Sequence, residues 1–301
     1  MNMSAPKKGI KRIKMATISV PDINFFEECY VNWLDYKVVG KSTVDEYMCN
    51  SWGTPKLINS KFILLSPKSG EDVFIRAIEN PLINQLHPFS YLGWNAIELV
   101  VSDVNLAYEK LRNSPFDIIG TPKIISPNSS IKAMQVLGPA LEVLYLTSTN
   151  GDREHLNHPE PKCLFGRIFI VIMAVNNLEK NQTFYLEKMM LESQGNLNIP
   201  VDILSSAQKK NKDYNYNISV LSASERGNKI ELDEYDTKYS FNKHILDNLS
   251  QGISMITFEV NEIEEFNLDF IDIPGEIYKG FKSAVFLGPN GERWELLSKI
   301  S

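Results

Sequence analysis

The chain has 301 residues, 43% of them apolar and 23% charged, with a net charge of −6. That length supports about two domains with a sizeable core, and the acidic balance supplies no long-range field toward nucleic acid or anionic lipid. Cys29, Cys49 and Cys163 are scattered and odd in number, which fits neither a disulfide framework nor a zinc site and points to a reducing, cytoplasmic compartment.

In chain order, Lys7, Lys8, Lys11, Arg12 and Lys14 form a basic run that reads as a solvated arm. No apolar signal core follows it, because the chain passes directly into the strand-like segment 12–20. Asp22 stands at a helix N-cap position before a helix over 23–34, and strands follow at 36–39, 62–66 and 73–78. The order is β-α-β-β-β. A second unit repeats it: a strand at 95–101, Asp103 as cap, a helix to Leu111, then strands at 117–119, 133–137 and 142–147. Residues 152–161 contain His155, His158, Pro159 and Pro161 and read as a polar linker with solvated histidines. A third unit opens at 167–175 with Asn177 as cap and a helix to Tyr185. It then passes through a Lys- and Asn-rich stretch, 196–216, to short strands at 218–221 and 229–232. The fourth opens at 254–263 with Glu262 as a weaker cap. The most apolar run, 168–175, has the length of a buried strand and is far below the roughly 20 residues of a membrane-spanning helix.

Two landmarks recur at nearly constant spacing. The strand and helix from Arg12 to Tyr30 reappear from Arg167 to Tyr185 at an offset of 155, and the turn and strand beginning Gly138-Pro139 reappear at Gly288-Pro289 at an offset of 150. Strand, Asp cap, helix ending in an aromatic residue, and Gly-Pro turn before a last strand together resemble the vicinal oxygen chelate superfamily (glyoxalases, bleomycin resistance proteins, extradiol dioxygenases) over nearly the whole chain. One departure is Leu141, where the second turn carries the family's Gly as Gly291. The resemblance implies an α+β fold of four βαβββ modules paired into two curled mixed-sheet half-barrels. The first two modules would pair in residues 1–150 and the last two in 165–301, with 151–164 as linker.

In metal-using members a His lies on a module's first strand seven residues before the cap, with a carboxylate on the last strand. Here those first-strand positions are Met15, Ala96, Ile170 and Met255, and the last-strand positions are Tyr145 and Glu295. Glu295 is the one surviving ligand-type residue, so no metal and no cofactor are expected; a catalytic metal generally needs three protein ligands. Alternation along strands then lines a first-half cup with Met15, Thr17, Trp94, Ala96, Glu98 and Tyr145. Glu98 is the candidate general base or ligand anchor, Tyr145 the candidate acid or hydrogen-bond donor, and Arg76 the candidate partner of Glu98. A structural Glu98–Arg76 ion pair is the competing reading.

The implied function is a metal-independent protein that binds a small, partly apolar organic molecule, as a sequestering protein or a cofactor-free isomerase or lyase. A metal-dependent extradiol-type dioxygenase or glyoxalase-like lyase, and a scaffold with vestigial pockets, stay open as alternatives. So does a homodimer. Neither nucleic acid nor membrane is an expected partner.

Overall fold

The computed structural model describes residues 8–81, 87–125, 129–151, 153–236, 238–240 and 247–300. Lys7, Asp152 and His244 lie outside them. The first module comprises β1 (Ile10–Val20), α1 (Ile23–Trp33), β2 (Lys37–Thr43), α2 (Glu46–Trp52), β3 (Lys61–Ser66) and β4 (Phe74–Glu79). The second comprises β5 (Gly93–Val101), α3 (Val104–Leu111), β6 (Asp117–Ile124), β7 (Ile131–Leu137) and β8 (Val143–Thr149). The third contains β9 (Phe165–Val175), α4 (Leu178–Lys188), β10 (Glu192–Pro200), α5 (Asp202–Ala207), β11 (Asn215–Ser222) and β12 (Lys229–Glu234). The fourth runs through β13 (Gly252–Val260), β14 (Gly275–Tyr278), β15 (Phe281–Leu287) and β16 (Arg293–Lys299).

The carboxylate of Asp22 and that of Asp103 each accept two backbone N–H groups at a helix start, and Asn177 accepts one. Glu262 makes no such bond, and only a short 3-10 turn, Ile263–Glu265, follows it. Two helices lie outside the repeat pattern. One is α2, capped by Asp45 and stopped by Gly53 at φ 63°; the other is α5, inside the Lys- and Asn-rich stretch.

The strands form two eight-stranded sheets, and their pairing differs from the expected one. The orders are β14-β15-β16-β13-β1-β4-β3-β2 and β10-β11-β12-β9-β5-β8-β7-β6. Module one therefore joins module four through antiparallel β1 and β13, and module two joins module three through antiparallel β5 and β9. Each module's first strand is central in its sheet and almost wholly buried, so the sequence of one first strand does not single out its partner by an apolar face, and adjacency along the chain is a poor guide to partnership.

The two sheets share one core on their convex faces, together with the helices: Trp94, Phe258, Trp294 and Tyr185 pack there. Two tyrosines at helix ends tie the sheets together. Tyr30 of module one donates to Glu142 of module two at 2.9 Å, and Tyr185 of module three donates to Glu292 of module four. These carboxylates also explain the two turn glycines. A Cβ at Gly138 or Gly288 would overlap Oε1 of Glu142 or Glu292. Leu141 adopts φ 62°, the left-handed conformation that Gly291 adopts at φ 79° in the matching turn.

The basic run is no solvated arm from Ile10 onward, because it forms β1. Lys14 is buried and bonds Asp72 at 2.5 Å, while Arg12 bridges Asp72 at 2.7 Å and Glu259 at 2.8 Å. No helix among the described residues is long and apolar enough to cross a membrane.

Candidate functional site

The concave face of each sheet is a separate cup, and the cup of modules one and four is filled from within. Arg76 on β4 is buried; its Nε and Nη2 donate to Thr17 at 3.0 and 2.7 Å, and Nη2 lies 3.2 Å from Glu295 Oε2. Its Nη1 donates to the Tyr278 hydroxyl, which in turn donates to Glu295 Oε1 at 2.8 Å. Glu295 also accepts from Thr257 at 2.5 Å, Ser283 at 3.1 Å and the Trp52 indole at 3.1 Å. Helix α2 brings Trp52 into the cup, with the Arg76 guanidinium 4.4 Å from its ring centroid. Burial pushes the Glu295 carboxyl up, but Arg76 and the donors Thr257, Tyr278 and Trp52 outweigh it and hold the group below its ordinary value.

Register shows what this pair replaces. Thr17 faces Arg76 across β1 and β4, and Thr257 faces Glu295 across β13 and β16, so Arg76 and Glu295 are equivalent positions of two modules. The guanidinium thus stands beside the carboxylate as its permanent counter-charge.

The cup of modules two and three is lined differently. One transverse row runs Ser222, Lys229, Ile170, Glu98, Tyr145 and Gln135, and the next runs Val220, Glu231, Ile172, Ala96 and Val143. Asp233 follows Glu231 on the same face of β12. Apolar walls come from Phe169, Ile170, Ile172, Ala174 and Ile218, and α5 adds Leu204. Tyr145 and Glu231 are half-buried, so solvent reaches the middle of this face.

Three carboxyl groups here lie in poor solvation. Glu98 is 8% exposed; burial pushes its carboxyl up to about 7, aided by Glu231 and opposed by Thr147 and Lys229. Burial also holds Asp233 up at about 7, and Glu231 is raised by burial and by Asp233 beside it. A single proton shared between these two neighbours relieves their repulsion. Tyr145 is raised by burial and then by Asp233, Glu231 and Glu98. Asp233 Oδ1 and the Tyr235 hydroxyl are buried without a hydrogen-bond partner among the described residues.

The expected first-half cup does not exist, since its residues divide between two sheets. Met15, Thr17 and Arg76 line one cup, whereas Ala96, Glu98 and Tyr145 line the other. Arg76 pairs with Glu295 and not with Glu98, whose facing cation is Lys229. Trp94 lines neither. A β-bulge lies between Trp94 and Ala96, which oppose the consecutive residues Met173 and Ile172, and the alternation slips by one. Trp94 turns into the core between the sheets, donating its indole N–H to the Arg293 carbonyl at 2.8 Å.

His158, expected in solvent, is buried. Its Nδ1 lies 2.8 Å from the Thr149 hydroxyl and its ring 5.1 Å from Phe169. Burial, with the charges of Lys229, Arg153 and Arg226, lowers its pKa to about 3, so the imidazole is neutral. Sequence reading missed Glu231 and Asp233, although the alternation in Lys229-Ile230-Glu231-Leu232-Asp233 places all three charged groups on one face.

The divalent metal implied by the resemblance does not fit these residues. Met15, Ala96, Ile170 and Met255 stand at the imidazole positions, and both oxygens of Glu295 are already saturated by donors. Among the described residues, no three His, Cys, Asp or Glu side chains are grouped to hold a metal ion.

Comparison with known proteins locates the fold. Glyoxalase I from Zea mays is 15% identical and matches over 95% of this chain and 92% of its own, with a TM-score of 0.66. A point mutant of the same maize enzyme matches with a TM-score of 0.66 at 14% identity, over 95% of this chain and 93% of the other. A dioxygenase-assigned protein from Bacillus subtilis is 12% identical, over 98% and 87% of the two chains, with a TM-score of 0.62. No protein-family model matches the sequence. No curated protein matches it either.

Proposed function

We propose that this chain, whose fold is that of the vicinal oxygen chelate superfamily, holds a small, partly apolar organic molecule in the cup of its second and third modules, using ordinary side chains instead of a divalent metal. The observation that carries the reading is the contrast between the cups. In the first, every lone pair of Glu295 is spoken for. In the second, Glu98 and Asp233 are buried carboxyls without a salt bridge among the described residues, beside Tyr145 and Tyr235 and surrounded by apolar walls. Concave apolar surface with a few convergent polar groups is the usual character of a small-molecule site.

Two uses are consistent with this lining. A sequestering protein needs only the walls and the hydrogen-bonding groups. A cofactor-free isomerase or lyase needs a group that exchanges a proton near neutral pH, and Glu98, held at about 7, has that property. Tyr145, its neighbour across the β5 and β8 pairing, stays protonated and is available as a hydrogen-bond donor to a guest.

The test is a thermal-shift screen of small phenolic, α-keto and amine compounds against wild type and Glu98→Gln, with metal content measured on the same purified protein. A stabilising compound that loses its effect in Glu98→Gln supports the reading; at about 100 times its dissociation constant such a compound adds about 2.7 kcal/mol. Tightly bound stoichiometric iron, manganese or zinc would overturn it.

A further inference from the structure

We infer that the guest of the second cup is a small organic cation, an amine on an apolar or aromatic body, an inference that rests on that cup being the binding site. The first support is the charge inventory of the concave face. Glu98 on β5 and Glu231 and Asp233 on β12 face inward, and the one basic side chain in their rows is Lys229. The Lys229 ammonium donates to the Leu156 carbonyl at 2.7 Å and its single charge is shared between Glu98 and Glu231. His158 beside it is neutral, and Lys210 and Lys238 at the rim are both held by Asp236. Among the described residues, carboxyl groups therefore exceed the cations facing them.

The second support is independent of charge. Asp233 Oδ1, an acceptor, and the Tyr235 hydroxyl, both donor and acceptor, lie on residues that are each 3% exposed and have no hydrogen-bond partner among the described residues. Buried polar atoms are almost always satisfied, and an ammonium brings three N–H donors and no acceptor. A carboxylate guest would meet like charge. A neutral guest would bring no counter-charge to Glu98 and Asp233, whose ionised forms burial disfavours.

The third support is aromatic. The Tyr235 and Tyr239 rings lie 5.7 Å apart on this side of the sheet, and Tyr145 stands in the central row. Aromatic faces attract cations, more strongly where water is excluded. The same chemistry already operates nearby: the Lys210 ammonium lies 3.5 Å from the Tyr214 ring centroid and 5.5 Å from that of Tyr216, with Asp236 at 3.0 Å.

Isothermal titration of phenethylammonium, 2-phenylethanol and 3-phenylpropanoate at pH 7.5 tests this on the full chain. Wild type should bind the ammonium at least about tenfold more tightly than the alcohol, with the propanoate weakest. In a Glu231→Gln, Asp233→Asn double variant that preference should vanish, ammonium binding weakening at least about tenfold more than alcohol binding does. Where the double variant does not fold, Asp233→Asn alone carries the comparison. Equal or tighter binding of the alcohol or propanoate, weakened by Glu98→Gln, overturns the cation inference and leaves the cup as the binding site. An ammonium preference that survives in the variants also overturns it. Failure of all three probes to bind folded wild type removes both readings.

Discussion

Arg76 and Glu295 are fully buried and share one hydrogen-bonded network, so removing both should cost much less than the sum of removing each alone. Arg76→Met leaves the Glu295 carboxylate with donors from Thr257, Tyr278, Ser283 and Trp52 but without its counter-charge. Glu295→Leu leaves a guanidinium bonded to Thr17 and Tyr278 against the face of Trp52. Breaking a buried pair from one side costs about 3–5 kcal/mol, so independent effects would sum to about 6–10 kcal/mol. The double variant strands hydroxyl and indole donors instead of a charge. Two or three of these at about 1–3 kcal/mol each bring its cost to about 4–6 kcal/mol. The expected coupling is therefore about 2–4 kcal/mol. Equilibrium urea unfolding at pH 7 measures it, provided tryptophan fluorescence and far-UV circular dichroism give coincident transitions. Additivity within about 0.5 kcal/mol would refute the reasoning, because it would mean that the two groups do not depend on each other.

Burial holds Glu98, Glu142 and Asp233 at about 7 in the folded chain, against about 4 unfolded. The folded state therefore binds more protons between those values, and the stability contribution is full below the unfolded pKa and lost as pH rises through about 7. The urea midpoint should fall from pH 5.5 to 8, with a shallower decline in Glu98→Gln; a rising midpoint contradicts the account. Leu141→Gly should raise stability by about 0.5–1 kcal/mol, since relief of the left-handed backbone exceeds glycine's added unfolded-state entropy. A loss in denaturant melts argues against strain at that turn. Trp52→Ala should cost about 3–5 kcal/mol by thermal denaturation, because it empties the centre of the first cup and removes a donor to Glu295. A variant as stable as wild type would mean that α2 does not fill that cup.

Much of the local structure was legible in the residues. The caps at Asp22, Asp103 and Asn177 act through one or two bonds to adjacent backbone, so their signal is local and survived folding unchanged. The Gly-Pro turns were equally readable, because Glu142 and Glu292 reach back within their own turns. Helix α2 carried a readable cap in Asp45 and a stop in Gly53, but at seven residues it has too little periodicity to stand out. Of the candidate site, Ala96, Glu98 and Tyr145 share a cup as alternation implied, while a single bulge at Trp94 reversed one side chain that no periodic rule tracks.

By itself, the order of residues determined that four related modules would form, three of them a strand, a capped helix and three more strands, and the fourth with only a short 3-10 turn in the helix's place. Which modules join was decided only in three dimensions. First strands that are buried almost throughout carry no mark of their partner, and the arrangement is held by contacts between distant segments of the two sheets, such as Tyr30 with Glu142, Tyr185 with Glu292 and Trp94 with Arg293. That choice also separated Arg76 from Glu98 and set Glu231 near Glu98, because electrostatic partnership depends on distance through space, and sequence separation does not report it.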